Sequence, residues 1–97
     1  PMNYNCKSVD QLFQTILNLE TIDECYAFFD DLCTIKEVLD MAKRLNAAVL
    51  LSEGRNYQEI NEKIGISTAT IGRVSKCLRY GAGGYTWAIL KLGKKEE

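Results

Sequence analysis

The stretch at 57–79 constrains the fold most, because apolar side chains recur at helical spacing on both sides of one glycine, Gly65. Spacings of three, four and seven residues place such side chains on one face of an amphipathic helix. Glycine adopts the left-handed conformation that ends a helix at little cost, so we expect one helix to stop at Gly65. We expect Ser67 or Thr68 to cap a second helix. The inward-facing residues of the two helices and their corner are Tyr57, Ile60, Ile64, Ile66, Ile71, Val74 and Leu78.

Two short helices that meet at a glycine are the arrangement of a helix-turn-helix, whose second helix enters the major groove of DNA. Five positions counted from Gly65 should be buried in this motif, and all five hold β-branched aliphatic residues: Ile60, Ile64, Ile66, Ile71 and Val74. One departure is Asn61, because the motif usually has alanine or glycine there to let the helices pack closely. The alternative is an ordinary helical hairpin whose cations are merely solvated.

The outward face of the second helix carries small and hydrogen-bonding residues, followed by cations. Threonine offers a hydroxyl group to a base edge and a methyl group to thymine, whereas arginine and lysine suit phosphate oxygens or guanine. At the start of the first helix, a tyrosine and a glutamine are placed to donate to the DNA backbone. The predicted DNA-contacting residues are Tyr57, Gln58, Ser67, Thr68, Ala69, Thr70, Gly72, Arg73, Lys76 and Arg79.

Charge is distributed unevenly along the 97 residues, although the formal net charge is only −1. Residues 1–62 hold eleven acidic and five basic side chains, whereas residues 63–95 hold seven basic and no acidic ones. Because attraction to phosphates acts over about a Debye length, a local basic block favours nucleic-acid binding even in an acidic protein. The lysines at 91–95 have a second interpretation, as a solubilising tail.

Amphipathic spacing also predicts helices through the rest of the chain, so the fold class is all-α. Capping-box sequences at 8–11, 21–24 and 34–37 predict the starts of three helices. These helices should end near Glu20, Leu32 and Ser52. The third has apolar residues on more than one side, and we expect it to be the structural centre.

The segment after the helix-turn-helix is predicted to be a turn at 80–85 and a short helix from Thr86 to Leu92, followed by a frayed lysine-rich end. No internal repeat and no linker is visible, so we expect one domain over 1–97. Its parts are the dimerisation helices at 8–52, the helix-turn-helix at 56–79 and the turn and helix at 80–92.

Large aromatic residues on the first two helices predict self-association. A chain this short buries a limited fraction of its surface, and apolar stripes that stay exposed usually mark an interface. Two-fold dimers are the commonest solution, and a two-fold dimer of helix-turn-helix proteins reads two half-sites one helical turn apart. We therefore expect an intertwined homodimer. The aromatic residues are Phe13, Tyr26, Phe28 and Phe29.

Several classes of protein are excluded by residues that the sequence lacks. No apolar run is long enough to span a bilayer and no signal peptide is visible, so we expect a cytoplasmic protein. The chain has no histidine, and its cysteines (Cys6, Cys25, Cys33 and Cys77) lack the spacing of metal ligands, so reduced thiols and no metal site are expected. Without a nucleophile–base pair or a phosphate-binding loop, an enzyme is not expected.

Three segments resemble the Trp repressor superfamily, and more closely its YerC/YecD-type TrpR-like branch. They are Glu-Gly-Arg-Asn-Tyr-Gln-Glu-Ile at 53–60, Thr-Ile-Gly-Arg at 70–73 and Arg-Tyr-Gly-Ala-Gly-Gly-Tyr at 79–85. The last is the most specific, and the likeness covers most of 10–90. The resemblance implies an all-helical, intertwined homodimer that binds operator DNA.

The same resemblance raises the question of an effector, because Trp repressor binds tryptophan with the indole between two arginines. Their matches here are Arg44 and Arg73. The residue after Arg73 is glycine in the repressor and Val74 here, which adds bulk where the indole would lie. We therefore expect no tryptophan cofactor and interpret Arg73 as a phosphate contact. For Arg44 the alternative is a salt bridge to an acid such as Asp40 or Glu37.

The sequence therefore predicts a sequence-specific DNA-binding transcriptional regulator, a TrpR-like repressor that acts as a homodimer on double-stranded DNA. The alternative is a protein-interaction module or co-regulator that uses the helix-turn-helix as a packing unit. Its acidic first half would suit a basic partner. Binding to duplex DNA that weakens sharply with salt would favour the regulator.

Overall fold

Six helices follow one another in the computed structural model, which describes residues 5–96 and the side chains of 5–93. The described chain falls into two compact units, one up to Val38 and one from Leu39 onward. The all-α prediction is confirmed, since each of these elements is helical. The helices are α1 (Lys7–Leu17), α2 (Ile22–Leu32), α3 (Ile35–Ser52), α4 (Tyr57–Ile64), α5 (Thr68–Tyr80) and α6 (Gly84–Glu96).

The start of α1 differs from the prediction that Ser8 caps it. The helix begins at Lys7, its N-cap is Cys6, and no side chain caps it. The first backbone bond runs from Asp10 N–H to the Cys6 carbonyl at 3.0 Å, so Ser8 lies inside the first turn. There its hydroxyl lies 3.3 Å from Cys6 Sγ, and this hydrogen bond lowers the pKa of the Cys6 thiol. The helix ends at Leu17, before the predicted Glu20.

The other two capping boxes lie at the helix starts where they were expected. Thr21 Oγ1 accepts from Glu24 N–H at 3.1 Å, although the Glu24 carboxylate reaches back to Glu20 N–H instead of the cap residue. The box at the start of α3 is reciprocal: Glu37 N–H donates to Thr34 Oγ1 at 3.1 Å and Thr34 N–H donates to Glu37 Oε1 at 2.8 Å. The bond from Thr34 N–H, assisted by the Thr34 side chain, lowers the pKa of the Glu37 carboxyl.

The core of the second unit forms where the C-terminal half of α3 meets α4 and α5. Its buried members are all aliphatic, and most are alanine or β-branched residues that let the helices approach. Around them pack half-buried residues of α3, α4, α5 and α6, including Leu51 and Ile89. This core agrees with the prediction that α3 is central. The buried residues are Ala47, Ala48, Leu50, Ile60, Ile71 and Val74.

The last helix is longer than predicted, because it begins at Gly84 and continues to Glu96. Gly83, at a positive φ of 87°, precedes it, and the Gly83 carbonyl accepts from Trp87 N–H at 3.0 Å. Adding residues to an existing helix gains one hydrogen bond each, so the helix propagates through Gly93. The expected start at Thr86 and end at Leu92 were therefore wrong.

Apolar side chains remain exposed on the first two helices, which have no fully buried residue. Phe28 and Phe29 are half-buried and pack edge to face with ring centroids 5.4 Å apart. Leu17 is 76% exposed. Such a surface is what the sequence predicted for an interface. The exposed large apolar residues of these two helices are Phe13, Leu17, Ile22, Tyr26 and Leu32.

All four cysteines are free thiols. No three histidine, cysteine or acidic side chains of the described residues are grouped to hold a metal ion. None of the described helices combines the length and apolar character that crossing a membrane requires.

Candidate nucleic-acid interface

The first helix of the motif, α4, begins with a capping box that the sequence analysis missed. Asn56 Oδ1 accepts from Glu59 N–H at 2.9 Å, and Glu59 Oε1 accepts from Asn56 N–H at 3.3 Å. The pattern Asn-x-x-Glu at 56–59 was the available signal. Glu59 also lies 3.5 Å from Arg55, and both side chains are about half exposed, so this pair adds little to stability.

The turn between α4 and α5 has the predicted geometry. Gly65 has a φ of 81° and a ψ of 32°, which is the left-handed conformation expected of the turn glycine. Gly65 N–H donates to the Asn61 carbonyl at 2.8 Å. Across the turn, Asn61 Nδ2 donates to the Ile66 carbonyl at 2.6 Å. Asn61, the unusual residue of the motif, thus bonds across the turn from its position within α4.

Ser67 caps α5, which settles the choice between Ser67 and Thr68. Its hydroxyl accepts from Thr70 N–H at 3.1 Å and lies 3.0 Å from Thr70 Oγ1. Two of the predicted DNA contacts, Ser67 and Thr70, therefore already hydrogen-bond to each other. Thr68 and Ala69 lie exposed beside them at the N-terminal end of the helix.

The inward face of the motif follows the sequence pattern closely. Ile60 and Ile71 are fully buried and Val74 is 2% exposed, whereas Ile64 and Ile66 are half-buried and pack against the core. A further buried residue is Ser75, which the apolar pattern did not indicate. A core on one side fixes α5 and leaves its other side open.

The outward face of α5 presents the cations to solvent. Arg73, Lys76 and Arg79 are exposed and form no ion pair with any residue in the described part of the chain. Of the ten predicted contact residues, Thr70 and Gly72 are half-buried and the rest are exposed. At the start of α4, Gln58 Nε2 donates to Glu62 Oε1 at 3.3 Å. The structure therefore collects small polar residues and free cations on one face.

The residues that correspond to the tryptophan site of the repressor differ in exposure: the two arginines are exposed, whereas the valine after the second one is buried. Arg44 and Arg73 are both exposed. Val74 belongs to the core, so its side chain is committed to packing. Within residues 5–96, no ion pair joins Arg44 to Asp40 or Glu37, which was the other interpretation of Arg44.

Comparison with known proteins shows which family this chain of helices belongs to. The family profile described as Trp repressor protein matches residues 7–93. The chain belongs to the Trp repressor family. The match covers all of α1 to α5 and most of α6, so it includes the unit that carries the exposed cations. Trp repressor proteins are non-enzymatic regulators, and the chain is accordingly not an enzyme.

Individual proteins are similar to this chain in sequence, and two of them also in fold. YerC of Bacillus subtilis (strain 168), an uncharacterized protein, is 49% identical over 90 residues, which is 93% of this chain and 86% of YerC. The crystal structure of a TrpR like protein from Eubacterium eligens ATCC 27750 is 50% identical, covers 89% of both chains and superposes with a TM-score of 0.86. A protein from Staphylococcus aureus with a known crystal structure is 42% identical to this chain. The match covers 89% of this chain and 86% of that one, and the two superpose with a TM-score of 0.85.

Proposed function

We propose that this chain is a sequence-specific DNA-binding transcriptional regulator, a TrpR-like repressor that acts in the cytoplasm. The observation that carries the proposal is the outward face of α5, where Arg73, Lys76 and Arg79 are exposed and without ion-pair partners in the described chain. Three unpaired cations on one helix suit a polyanion, because each displaces condensed counterions from a phosphate. Membership of the Trp repressor family supports this assignment.

The two ends of α5 have separate tasks in this proposal. Thr68 and Ala69, at the N-terminal end, are short enough to let the backbone approach base edges in the major groove. The cations follow in the next three turns and bind phosphates, which sets the register of the helix but carries no sequence information. Since residues that make bidentate base contacts are scarce here, water, methyl contacts and DNA shape supply much of the specificity.

We propose that the DNA-binding form is an intertwined homodimer. The support is the exposed apolar surface of α1 and α2, where Leu17 and Ile22 are about three-quarters exposed in a single chain. Burying one such side chain in an interface stabilises it by roughly 1.5–3 kcal/mol relative to water. A two-fold dimer then presents two copies of α5 to half-sites about 34–36 Å apart.

No tryptophan gates DNA binding in this proposal. Val74 is 2% exposed and packs in the core, on the turn of α5 where the repressor has glycine. A buried valine does not withdraw to admit an indole without leaving a cavity, which costs stability. Adding L-tryptophan is therefore expected to leave the affinity for DNA unchanged. A tenfold gain in affinity would contradict this part of the proposal.

The experiment that tests the function compares Thr68→Ala with the unsubstituted protein in DNA binding. A duplex selected from a random pool and an unrelated duplex of equal length are titrated by fluorescence anisotropy. Removing the hydroxyl and methyl groups should lower the affinity for the selected duplex by about 5- to 100-fold, while the affinity for the unrelated duplex stays the same. Thr86→Ala is the matched control, because it removes the same groups from an exposed threonine on α6 outside the predicted DNA contacts, so both affinities should stay unchanged.

The outcomes separate the proposal from the protein-interaction module. If Thr68→Ala binds both duplexes as the unsubstituted chain does, Thr68 does not read bases. If the unsubstituted chain fails to retain any duplex, α5 is a packing unit and the regulator is excluded. Circular dichroism of the variant should stay unchanged, because Thr68 is exposed.

A further inference from the structure

Asn61 makes a contact across the turn that the usual alanine or glycine of a helix-turn-helix cannot make. It lies exposed in the middle of α4, and its Nδ2 donates to the Ile66 carbonyl at 2.6 Å. Its own carbonyl accepts from Gly65 N–H at 2.8 Å. The backbone bond to Gly65 forms with any residue at 61, so what the asparagine side chain adds is the bond to the next residue, Ile66.

The held residue, Ile66, is the last one before the cap of α5. The first backbone bond of α5 runs from Ile71 N–H to the Ser67 carbonyl at 3.0 Å, so the Ile66 carbonyl lies just outside the helix. A carbonyl in this position has no partner from the helix ladder, so its partner is a side chain or water. Asn61 supplies that donor, while the Ile66 side chain packs against the core. The Ile66 carbonyl and the Ile66 side chain are therefore both held in place, which fixes the start of α5.

A displacement at this point would affect the two ends of α5 unequally. Thr68 and Ala69, which lie next to the cap, have short side chains that cannot follow a base edge that shifts by an ångström. Lys76 and Arg79 have long side chains that keep reaching a phosphate after a small movement. Loosening the turn should therefore reduce sequence discrimination and leave the electrostatic attraction to DNA intact.

We propose that Asn61 is a positioning residue, which fixes where α5 begins relative to α4 and thereby sets the sequence preference of this chain. The first half of this inference, that Asn61 fixes where α5 begins, rests on the turn geometry alone. The second half, that Asn61 sets the sequence preference, rests on the proposed DNA-binding function. It assigns a role to the residue that departs most from the ordinary motif.

The test uses Asn61→Ala in the full chain, with Asn46→Ala as the matched control. Asn46 is also an exposed asparagine within a helix, and the same atoms are removed there without breaking a turn contact. Both changes replace a weak helix former with a strong one, so α4 is not expected to unwind. Neither change alters the net charge.

The first measurement is amide hydrogen exchange by NMR on the protein without DNA. The side-chain amide of Asn61 should exchange more slowly than that of Asn46, because one of its protons is held by a carbonyl. In Asn61→Ala, the backbone amide of Gly65, which donates to the residue-61 carbonyl next to the lost contact, should exchange about 2- to 10-fold faster. Exchange at Gly65 that matches the unsubstituted chain would overturn the assignment of the turn contact.

The second measurement is the ratio of affinities for a pool-selected duplex and an unrelated duplex, at two salt concentrations. Asn61→Ala should lower this ratio by about 2- to 10-fold without changing the salt dependence, whereas Asn46→Ala should change neither. A merely structural role would weaken binding to both duplexes alike and leave the ratio unchanged, and that result would overturn the proposal.

Failure of the proposed function is distinguishable from failure of this inference. If the unsubstituted chain shows a ratio of about one, it has no sequence preference, and both the function and the second half of the inference are excluded. The exchange measurement then still decides whether Asn61 holds the turn. If the unsubstituted chain discriminates and Asn61→Ala discriminates equally, only the inference is excluded.

Discussion

Replacing Lys76 with alanine should change how DNA binding depends on salt, by an amount that follows from the structure. Lys76 is exposed on α5 and has no ion-pair partner in the described chain, so its charge is free to neutralise a phosphate. Each neutralised phosphate contributes about −0.9 to the slope of log affinity against log salt concentration. A homodimer loses two such contacts, so the slope should become less steep by about 1.8.

The size of this effect makes it measurable. Between roughly 50 and 200 mM salt, a slope difference of about 1.8 corresponds to about 12-fold in relative affinity. Fluorescence anisotropy on one duplex at four salt concentrations determines both slopes. The loss should be the same for selected and unrelated duplexes, because a phosphate contact carries no sequence information.

Lys43→Ala is the control for Lys76→Ala, since it removes the same charge from an exposed position on α3. Its slope should match that of the unsubstituted chain. An unchanged slope in Lys76→Ala would refute the assignment of the α5 cations to phosphates. A change of about 0.9 would mean that one cation per complex is engaged, which contradicts binding by both heads of a dimer.

Three further predictions concern stability and assembly. Ile71→Ala should lower the free energy of unfolding by roughly 2–5 kcal/mol in urea titrations, because Ile71 is fully buried at the centre of the core. Leu17→Lys should shift the sedimentation mass from twice the 11.0 kDa of one chain towards one chain, because it places a charge on the exposed apolar surface of α1. Glu37→Gln should lose stability relative to the unsubstituted chain near neutral pH but not in acid. Hydrogen bonding lowers the folded-state pKa of Glu37, so its contribution is present above the unfolded pKa and is lost as pH falls through the folded one.

Each of these predictions has a control of similar chemistry. For Ile71→Ala it is Thr68→Ala, an exposed change on the same helix that should stay within about 0.5 kcal/mol. For Leu17→Lys it is Gln11→Lys on the same helix, which should remain dimeric. For Glu37→Gln it is Glu53→Gln. Thermal midpoints of the Glu37 variant that track the unsubstituted chain at every pH would contradict the capping argument, and a dimeric Leu17→Lys would place the interface elsewhere.

The helix-turn-helix could be predicted from sequence because its determinants are local and redundant. Gly65, the Ser67 cap and the β-branched residues around them each indicate the same arrangement, and α4 and α5 lie within one residue of the predicted stretch. When propensity, capping and apolar periodicity agree, a short segment specifies its own structure. The position of the exposed cations on α5 followed from the same periodicity.

The predicted helix ends were wrong where they depended on a single local signal. Ser8 is typical of a cap residue, yet Asp10 N–H donates to the Cys6 carbonyl, so the helix begins before Ser8, at Lys7. The last helix was expected from Thr86 to Leu92, yet α6 includes Gly84 and Gly93, because propagation costs less than nucleation. Such ends are decided by differences of about one hydrogen bond, which residue patterns do not resolve.

The role of Asn61 could not be predicted, because its contact depends on the three-dimensional shape of the turn. The sequence showed only that an amide stands where a small residue is usual. Whether Nδ2 meets a carbonyl depends on the left-handed Gly65 and on the direction of the Ile66 peptide. The exposure of apolar residues on α1 and α2 was predicted from the length of the chain, but the partner surface requires a measurement on the protein in solution.

The most direct test of the central claim is selection of bound duplexes from a random pool by the purified full chain, followed by sequencing and by the mass of the complex. A dimeric regulator should enrich a two-fold symmetric sequence whose half-sites lie about one helical turn apart, in a complex of two chains per duplex. Failure to enrich any sequence, with binding that is lost or that stays insensitive to salt, would contradict the account.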